Sequence, residues 1–363
     1  MASFSGSVIK FRGNLIKKLS KKYSVYVFSP NPDQNLINNL KKYDAKHINI
    51  PLTNFSVTPI KDFIYMLMLS IWFFKLKPKK VLAYTIKPVT FGGIISRIFQ
   101  VDFFAMITGL GTAFESKDAN SISKNFLLLL LRISLKRSKK ILFYNTKNQE
   151  YFLKNNVITA GQSLIINGSG VDTEYYKSEK TSHKKNKKIN ILCMARLLKD
   201  KGIIEYISSA EKILDTRNDV NFFLLGDYQK SKLSIKKSYI DDCVNRGIIK
   251  YHGFVEDVRP YIEMADIYIL ASYHEGLPRS ALEAMSMSKA IILSEISGTK
   301  DLIQESVNGF YCKPKSIESL TLAINKMLER KEELEKFGQK SRQIIEKNFD
   351  DRAINNKIME VVI

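Results

Sequence analysis

Four charged residues in the second half of the sequence have types and positions suited to holding a phosphorylated ligand. Arg196 and Lys201, in "MARLLKDKGI", follow a predicted strand and flank the start of a predicted helix. Two cations beside free helix N-terminal amides suit a diphosphate. In "HEGLPRSALEAM", Glu283 lies in a predicted helix, where its carboxylate could accept hydrogen bonds from vicinal ribose hydroxyls. Glu275 lies among turn residues and could reach the hydroxyls of a sugar, although each charge alone is equally compatible with an ordinary solvated surface.

The elements that position these residues alternate between strands and helices. Buried strands are predicted at "INILCMA", "VNFFLLG", "IIKYHG", "DIYILAS" and "AIILSE", each followed by a helical segment. This alternation predicts a parallel sheet whose ligands bind beyond the carboxyl ends of the strands. Gly226 and Gly253 end two of the strands, where either a ligand approaches closely or the chain simply turns. The turn at Phe254–Val255 offers backbone hydrogen bonds to a base, and glycine turns are also predicted in "EISGTKDLI" and "VNGFY".

The N-terminal half repeats the same alternation. Strands are predicted at 24–29, 80–84, 103–107 and 141–144, and helices at 8–23, 62–76, 88–100 and 121–140. The fold class is therefore α/β, with two doubly wound domains in series, 1–165 and 166–363. The basic stretch Lys177–Lys188 is interpreted as a loop near the junction, and the chain from Ser316 onward is predicted to be helical.

The net charge is distributed unevenly along the chain. Residues 1–170 contain 25 Lys and Arg against 7 Asp and Glu, whereas residues 171–363 contain 32 against 29. A merely soluble basic surface would be evenly spread, so the excess indicates an anionic partner, either nucleic acid or an anionic membrane. Phe63–Phe74 and Phe126–Lys140 combine apolar length with lysines and arginines, as interfacial helices on anionic lipid do. The alternative is that both are core helices with basic ends.

Several classes of protein are excluded or disfavoured. No base-stacking motif or recognition helix stands out, so we expect no nucleic-acid partner. The three cysteines, Cys193, Cys243 and Cys312, are too few and too scattered for a disulfide scaffold or a zinc site, which favours buried thiols in a reducing compartment. No signal peptide is recognisable. The longest apolar run, Phe63–Phe74, is shorter than the roughly 20 residues of a spanning helix, so we do not expect an integral membrane protein.

A resemblance to a known family rests on several segments taken together. "ARLLKDKG", "LLGDY", "HGFVEDVRPYIEMADIYILASYHEGLPRSALEAM" and "GTKDLIQESVNGFY" resemble the retaining glycosyltransferases of family 4, which have the glycosyltransferase-B fold. "LAYTIKPVTFGGI", "MITGLGTAF", "LFYNTKNQEYF" and "INGSGVDTEYY" are similar to its polysaccharide-assembly branch. The resemblance implies two Rossmann-like domains facing each other across a cleft, with C-terminal helices closing back. It also implies transfer of a hexose or N-acetylhexosamine from a UDP-sugar to an undecaprenyl-diphosphate-linked saccharide, on the inner face of the cytoplasmic membrane.

The same resemblance implies a role for individual residues. Arg196 and Lys201 would bind the donor diphosphate, and Glu275 the sugar hydroxyls, with help from the amides near Gly276 and Leu277. Glu283 would bind the ribose. The remaining expected contacts are the backbone at Phe254 and Val255 for the uracil, Gly226 on the donor side, and, from the N-terminal domain, Gly109 in "TGLGT" and Gly6 with Ser5 and Ser7. Since the sequence contains no D-x-D, we expect no metal and no cofactor other than the UDP-sugar substrate.

Two features leave alternatives open. The family usually opens with a β-strand before the loop corresponding to "SFSGSVIKFRG", whereas this chain begins at the loop itself. Either the start lies upstream or the first sheet lacks a central strand. The resemblance also implies retention of configuration, which we expect to proceed by same-face transfer assisted by the departing phosphate oxygen. The alternatives are a nucleotide-sugar epimerase of the same architecture and a transferase with a diacylglycerol acceptor.

Overall fold

Two units make up the chain, and each has its own sheet system and core. The computed structural model describes residues 1–53, 58–109, 121–179, 188–229 and 231–363. Unit 1 comprises residues 1–170 and 351–363, and unit 2 comprises 171–350. The predicted boundary at 165/166 therefore lies slightly early, and the last helix was wrongly assigned to the second domain. That helix belongs to unit 1 because its Ile354, Ile358 and Val362 are buried in a unit 1 core.

The strands of unit 1 form two parallel sheets. The first pairs β1 (Val25–Ser29) with β2 (Ala45–Asn49). The second has the order β3 (Lys80–Tyr84), β4 (Asp102–Ile107), β5 (Lys140–Phe143), β6 (Ser163–Ile165). The backbone of the first two residues lies between the two sheets. The Ala2 N–H donates to Phe28 O at 2.9 Å, the terminal amine of Met1 donates to Leu82 O at 2.8 Å, and Met1 O accepts from Tyr84 N at 3.1 Å. The position at which a central strand was expected is thus occupied by residues 1 and 2.

Helices cover both faces of these sheets. On one face lie α1 (Gly6–Ser20), α2 (Gln34–Lys42) and the final helix α13 (Asp351–Val362), and on the other lie α3 (Pro59–Leu76), α4 (Ile86–Ile98), α5 (Ser121–Leu135) and α6 (Thr146–Lys154). Alternate strand residues point to opposite faces, so Ala105 packs under α3–α6 while Met106 packs under α1. Side-chain caps start α2, where Asp33 accepts from Leu36 N at 2.7 Å, and α6, where Asn145 accepts from Asn148 N at 2.8 Å.

Unit 2 contains one six-stranded parallel sheet. Its strands are β7 (Ile189–Met194), β8 (Val220–Leu225), β9 (Lys250–Tyr251), β10 (Ile267–Leu270), β11 (Ala290–Ser294) and β12 (Gly309–Cys312), in the order β12-β11-β10-β7-β8-β9. The chain runs outward from β7 to β9, then returns to β10 on the other side of β7. The switch point of the sheet therefore lies between β7 and β10. Both strands are buried along their whole length, which explains why their sequences are apolar apart from Asn190 and the hydroxyl of Tyr268, both of which are hydrogen-bonded.

The helices of unit 2 pack on both faces of this sheet. They are α7 (Ile203–Leu214), α8 (Lys237–Asn245), α9 (Arg259–Met264), α10 (Arg279–Ser286), α11 (Ile317–Glu329) and α12 (Leu334–Asn348). Helices α7, α8 and α11 contribute to one core, α9 and α10 to the other, and α12 to both. The helical character predicted from Ser316 onward is confirmed.

Most of the predicted elements are present. All nine predicted strands are confirmed, whereas β2, β6 and β12 were missed. The turn predicted at "VNGFY" is present only at the start of that segment: Val307 and Asn308 lie in a turn, and Gly309 begins β12 beside β11. The three cysteines are buried, as predicted. Of the loop predicted at Lys177–Lys188, residues 180–187 lie outside the described part of the chain. In the described ranges, no helix combines the length and hydropathy needed to cross a bilayer.

Candidate functional site

An ion pair joins the two loops that meet at the switch point of the unit 2 sheet. Lys201 ends a short 3₁₀ turn after β7, and Glu275 lies in the loop after β10. The Lys201 Nζ lies 2.8 Å from Glu275 Oε1, and Ser272 Oγ donates to the same oxygen at 2.9 Å. The two charged side chains are 13% and 19% exposed, so the pair is largely shielded yet open to solvent on one side. This places two of the predicted residues in direct contact, 74 positions apart in sequence.

Close backbone contacts hold these loops in place. The Tyr273 N–H donates to Asp200 O at 2.9 Å and ties the Glu275 loop to the turn carrying Lys201. Gly298, in the turn after β11, packs directly on the Glu275 loop. A methyl group there would overlap the carbonyl oxygens of Glu275 and Gly276, the second at 2.6 Å. The glycine turn predicted in "EISGTKDLI" is therefore present, and its lack of a side chain allows this approach.

Glu283 is anchored by two donors near the start of α10. Its side chain is only 4% exposed, and its Oε1 accepts from Arg279 Nε, one turn earlier, at 3.0 Å. The Tyr176 hydroxyl also forms a hydrogen bond with this carboxylate. Burial and the nearby charge of Glu283 raise the pKa of Tyr176, so its hydroxyl remains a proton donor at neutral pH. Glu283 is thus a fixed carboxylate, and neither of its two partners was predicted.

One buried hydroxyl lies near both carboxylates. Tyr268, in β10, is fully buried, and its hydroxyl donates to Ser280 Oγ at 2.7 Å. Burial is the main cause of its raised pKa, and the charges of Glu275 and Glu283 raise that pKa further. Both carboxylates therefore lie around the same end of the central strand.

The loops after β8 and β9 lie at the same edge of the sheet. Gly226 has φ +146° and packs on the carbonyl group of Ala195, a contact that any side chain would block. Its N–H donates to Gly253 O at 2.8 Å, which joins the two loops. Phe254 follows with 73% of its surface exposed, and Arg196, next to Ala195, is also exposed. Arg196 forms no ion pair among the described residues.

The chemistry of this edge is defined by what its groups can bind. Helix α7 begins at Ile203, directly after Lys201, so its unsatisfied N–H groups lie beside a lysine. Amides of this kind together with a cation bind phosphate. Partly exposed carboxylates accept hydrogen bonds from hydroxyl groups. The carboxyl edge of the sheet at its switch point therefore offers sites for a phosphate and for a polyol side by side.

Two family models match most of the chain. One is described as glycosyl transferases group 1 and matches residues 174–344. The other is described as glycosyl transferase 4-like and matches residues 3–145. The chain is a glycosyltransferase of the family 4 type. Membership in this family favours group transfer over the epimerase alternative.

Individual proteins extend this result. The glycosyltransferase is 28% identical over 338 residues to N,N'-diacetylbacillosaminyl-diphospho-undecaprenol alpha-1,3-N-acetylgalactosaminyltransferase of Campylobacter jejuni, covering 89% of this chain and 87% of the relative. A glycosyltransferase structure from Rickettsia africae superposes with a TM-score of 0.81 at 20% identity, covering 100% of this chain and 96% of that one. HepE of Anabaena, in complex with UDP and glucose, gives a TM-score of 0.77 at 17% identity over 99% and 97% of the chains. The fold is that of the glycosyltransferase-B class.

The residues predicted in unit 1 of the glycosyltransferase also lie at strand ends. Gly6 begins α1; the Oγ of Ser5 lies 2.8 Å from Ser29 Oγ at the end of β1. Ser7 Oγ lies 3.2 Å from the Tyr84 hydroxyl at the end of β3. Gly109 lies just past β4, and no described atom approaches within 4 Å of where its side chain would be. The last three residues of "TGLGT", 110–112, lie outside the described residues, and the roles of Gly6 and Gly109 stay predictions.

Some partners of the site were not found from the sequence. Arg279 is four residues before Glu283 on a helix, a spacing that itself predicts an ion pair. Ser272 and Tyr176 carry no such signal, because tertiary folding alone brings them to Glu275 and Glu283. In the part of the chain that the structure describes, no group of three or more His, Cys, Asp or Glu side chains is arranged to hold a metal ion.

Proposed function

We propose that the protein is a retaining, metal-independent glycosyltransferase that moves a hexose or N-acetylhexosamine from a UDP-sugar to an undecaprenyl-diphosphate-linked saccharide. Its product would be a lipid-linked intermediate of a bacterial surface polysaccharide or glycan, formed at the inner face of the cytoplasmic membrane. The observation that carries the proposal is the Lys201–Glu275 ion pair at the switch point of the unit 2 sheet. The pair brings an ammonium group that can bind phosphate next to a carboxylate that can accept hydrogen bonds from sugar hydroxyls. It lies at the position where parallel sheets of this kind bind nucleotides.

The diphosphate is assigned to the cationic side of this pair. Lys201 immediately precedes the N-terminus of α7, and Arg196 is exposed after the same strand. When the sugar leaves, negative charge accumulates on the departing UDP. Fixed cations and amides stabilise that charge without a metal, because they are already oriented toward it.

The sugar and the nucleoside are assigned to the two carboxylates. Glu275, oriented by Lys201 and Ser272, would accept hydrogen bonds from sugar hydroxyls, with the amides near Gly276 and Leu277 beside it. Glu283 would accept from the ribose. The hydrogen bond between Gly226 and Gly253 joins the loops after β8 and β9. These loops would present the backbone at Phe254–Val255 to the uracil, and because the ring of Phe254 is exposed, it leaves that backbone accessible.

The proposed step is a same-face substitution at the anomeric carbon. The bond between that carbon and the phosphate oxygen breaks, and a bond from the acceptor hydroxyl oxygen forms on the same face. The acceptor proton passes to the departing phosphate oxygen, so UDP leaves protonated and no sugar is attached to the enzyme. Detection of a covalent sugar on Glu275 by intact-protein mass spectrometry would overturn this scheme.

The acceptor class is supported by the relatives. The Campylobacter relative carries a diphospho-undecaprenol substrate in its name and aligns over most of both chains. The complex of HepE with UDP and glucose supports the UDP-sugar donor. To test the acceptor, transfer should be assayed with undecaprenyl-diphosphate disaccharide, with diacylglycerol and with no acceptor. Product with diacylglycerol alone would replace the proposed acceptor, and a changed sugar without any acceptor would indicate an epimerase.

The donor site can be tested by thermal stabilisation in the presence of EDTA. UDP at about 100 times its dissociation constant should stabilise the protein by about 2.7 kcal/mol, whereas GDP and CDP should not. Glu283→Gln should lose the response to UDP, because the amide keeps the shape but not the charge of the ribose acceptor.

A matched control is available for this variant. Glu346 forms an ion pair with Arg342 at the same spacing of four residues, with Nε–Oε1 2.7 Å, but on α12. Glu346→Gln should keep the response to UDP. Equal loss in both variants would mean that Glu283 acts through stability alone, and a response that requires added Mg²⁺ would contradict metal independence.

A further inference from the structure

Helix α3 exposes a continuous apolar stripe to solvent. Its buried face is formed by Tyr65, Leu69 and Phe73. The opposite face is lined by large side chains between 48% and 79% exposed: Ile60, Phe63, Ile64, Leu67, Ile71 and Phe74. These positions recur at helical spacing along the whole length of the helix. The alternative given by the sequence, that this segment is a core helix with basic ends, therefore accounts for only one face of α3.

The neighbouring helices extend this surface. Helix α4 packs against both α3 and α5, so the three lie side by side over the same face of the sheet. Ile98, at the end of α4, is 65% exposed. On the described part of α5, Phe126, Leu129 and Ile133 form a second stripe, between 38% and 56% exposed. We call the outer surfaces of α3 and α5, with the end of α4 between them, the apolar face.

Among the described residues, the exposed charges around the apolar face are mostly positive. Exposed cations follow the C-terminal ends of α3 and α5: Lys75, Lys77, Lys79, Lys136 and Arg137. The nearby acidic residues are held in ion pairs, since Asp62 lies 2.6 Å from Lys87 and Asp102 lies 3.4 Å from Lys139. At the end of α3, the ammonium group of Lys75 lies over the ring of Trp72 at 5.4 Å.

A cavity lies at the cationic end of this face. Its volume is about 440 Å³, and its lining includes Phe74, Lys77, Lys79 and Phe99. Aromatic rings and ammonium groups thus share one opening at the ends of α3 and α4. Such a mixture suits the junction between an acyl chain and an anionic headgroup.

We propose that the apolar face of unit 1 docks on an anionic lipid bilayer, with the stripes of α3 and α5 in the acyl–headgroup boundary and the lysines on lipid phosphates. Six large apolar side chains exposed on α3 and three on α5 form two stripes, whereas exposed apolar residues on a soluble surface are normally scattered singly. The charge of this surface favours lipid as its partner. A second copy of this chain would bring positive charges together, whereas anionic lipid headgroups complement the lysines. The proposal deepens the proposed function, because a lipid-linked acceptor lies in the membrane.

Vesicle flotation with charge-reversal variants tests which surface binds. Wild type should float with phosphatidylglycerol-containing vesicles and bind pure phosphatidylcholine much less. The triple variant Lys75→Glu, Lys77→Glu, Lys79→Glu should partition roughly 100-fold or more less strongly, since each lysine at an anionic surface contributes about five-fold.

The control for this variant changes the same charge on the other side of unit 1. Lys21, Lys22 and Lys41 are exposed at the ends of α1 and α2, which cover the opposite face of the sheets. Lys21→Glu, Lys22→Glu, Lys41→Glu should bind nearly as wild type. Equal loss of vesicle binding in the two triple variants would overturn docking through the apolar face, because it would show that binding depends only on the net charge of unit 1.

The apolar part is tested by Phe63→Ser, Leu67→Ser, Phe74→Ser, all at exposed positions, with Leu322→Ser in unit 2 (56% exposed) as control. The triple variant should lose flotation, and the control should keep it. If the triple variant instead converts a dimer to a monomer without losing lipid binding, the face joins two copies of the chain and the proposal fails.

A tryptophan on the exposed stripe gives a direct readout of insertion. Trp72, the chain's one tryptophan, lies on α3 but packs against the core beside Phe28. In the variant Trp72→Phe, Phe63→Trp, which moves the indole to a position 61% exposed, brominated acyl chains should quench the fluorescence in anionic vesicles, and bromolipid without effect on the bound variant would exclude insertion of α3. These measurements need neither donor nor acceptor. If the protein fails to bind vesicles but is still stabilised by UDP, the docking proposal fails and the proposed function is unaffected. If it binds vesicles but is not stabilised by UDP, the proposed function fails and the docking proposal is unaffected.

Discussion

The two units share an architecture but differ in where their distinctive residues lie. Both have parallel strands covered by helices on two faces. In unit 2 the charged residues with defined partners, Lys201, Glu275 and Glu283, follow or flank the carboxyl ends of strands. In unit 1 the unusual residues lie on the outer faces of α3 and α5. The comparison teaches that one fold supplies two kinds of surface: a rigid edge for small ligands and a broad helical face.

Rigidity explains this division. A strand-end loop is held by the sheet and by neighbouring loops, as Gly298 holds Glu275, so a side chain there can be positioned for chemistry. The outer face of a helix presents long side chains with rotational freedom, which suits a fluid partner. The predictions that follow test this contrast, starting with the largest expected effect.

Replacing the lysine of the ion pair should have the largest effect on activity. Lys201→Ala removes the cation assigned to the leaving diphosphate, and we expect the turnover number to fall about 10³-fold. Initial rates of sugar transfer measure it. Lys199→Ala is the matched control, since Lys199 lies in the same 3₁₀ turn but is exposed. A loss below about ten-fold for Lys201→Ala, or equal losses for both lysines, would contradict the assignment.

The two faces of α3 should differ sharply in what they contribute to stability. Leu69 is fully buried, and Leu67, two residues earlier, is 49% exposed. Leu69→Ala should lower the free energy of unfolding by about 3 kcal/mol, because it leaves a cavity in the core. Leu67→Ala should lower it by less than about 0.5 kcal/mol. Urea denaturation measures both. If Leu67→Ala costs as much as Leu69→Ala, the outer stripe belongs to the fold and is not available to a partner.

The sequence predicted the central elements of each unit well, and the reason is physical. Strands with neighbours on both sides are covered by helices on both faces, so their sequences are mostly apolar, as in "INILCM", where Asn190 alone is polar. The three missed strands, β2, β6 and β12, are all at the edges of their sheets. In β2 only Ala45 and Ile48 are buried, which leaves no apolar run to recognise. The turn predicted at "VNGFY" ends at Asn308 and β12 begins directly after it at Gly309, so the sequence indicated the turn but not the short strand that follows it.

The sequence placed the candidate residues at strand ends but did not predict their contacts, and their roles stay predictions. Strand-end positions identified Arg196, Lys201, Glu275 and Glu283, because loops at one sheet edge must converge. The direct bond between Lys201 and Glu275 depends on which strands are neighbours, and strand order does not follow from local pattern. The burial of Glu283 likewise depends on Tyr176, which reaches it only through tertiary folding.

A smaller effect on activity is expected where backbone packing positions the site. Gly298→Ala would push its methyl group into the carbonyl oxygens of Glu275 and Gly276, so the loop must shift. A displacement near 1 Å costs about 10²-fold in rate, and we expect that loss in turnover with circular dichroism unchanged. Gly161→Ala is the control, since no described atom lies within 4 Å of the added carbon. Full activity in Gly298→Ala would show that the loop is not held rigidly, which would weaken the contrast between the units.

The smallest expected effect is a pH dependence confined to unit 1. His47, in β2, has its Nε2 2.9 Å from Ser29 Oγ, and partial burial lowers its pKa from the usual 6.5. Between that lowered pKa and 6.5, the unfolded chain binds more protons than the folded one. The free energy of unfolding should therefore fall as the pH decreases through this window and level off below it. His47→Gln should flatten this part of the profile, measured by urea denaturation between about pH 5 and 7. Because the ring is only partly buried, the change should be modest, and a slope unaltered by the substitution would assign the pH dependence to other groups.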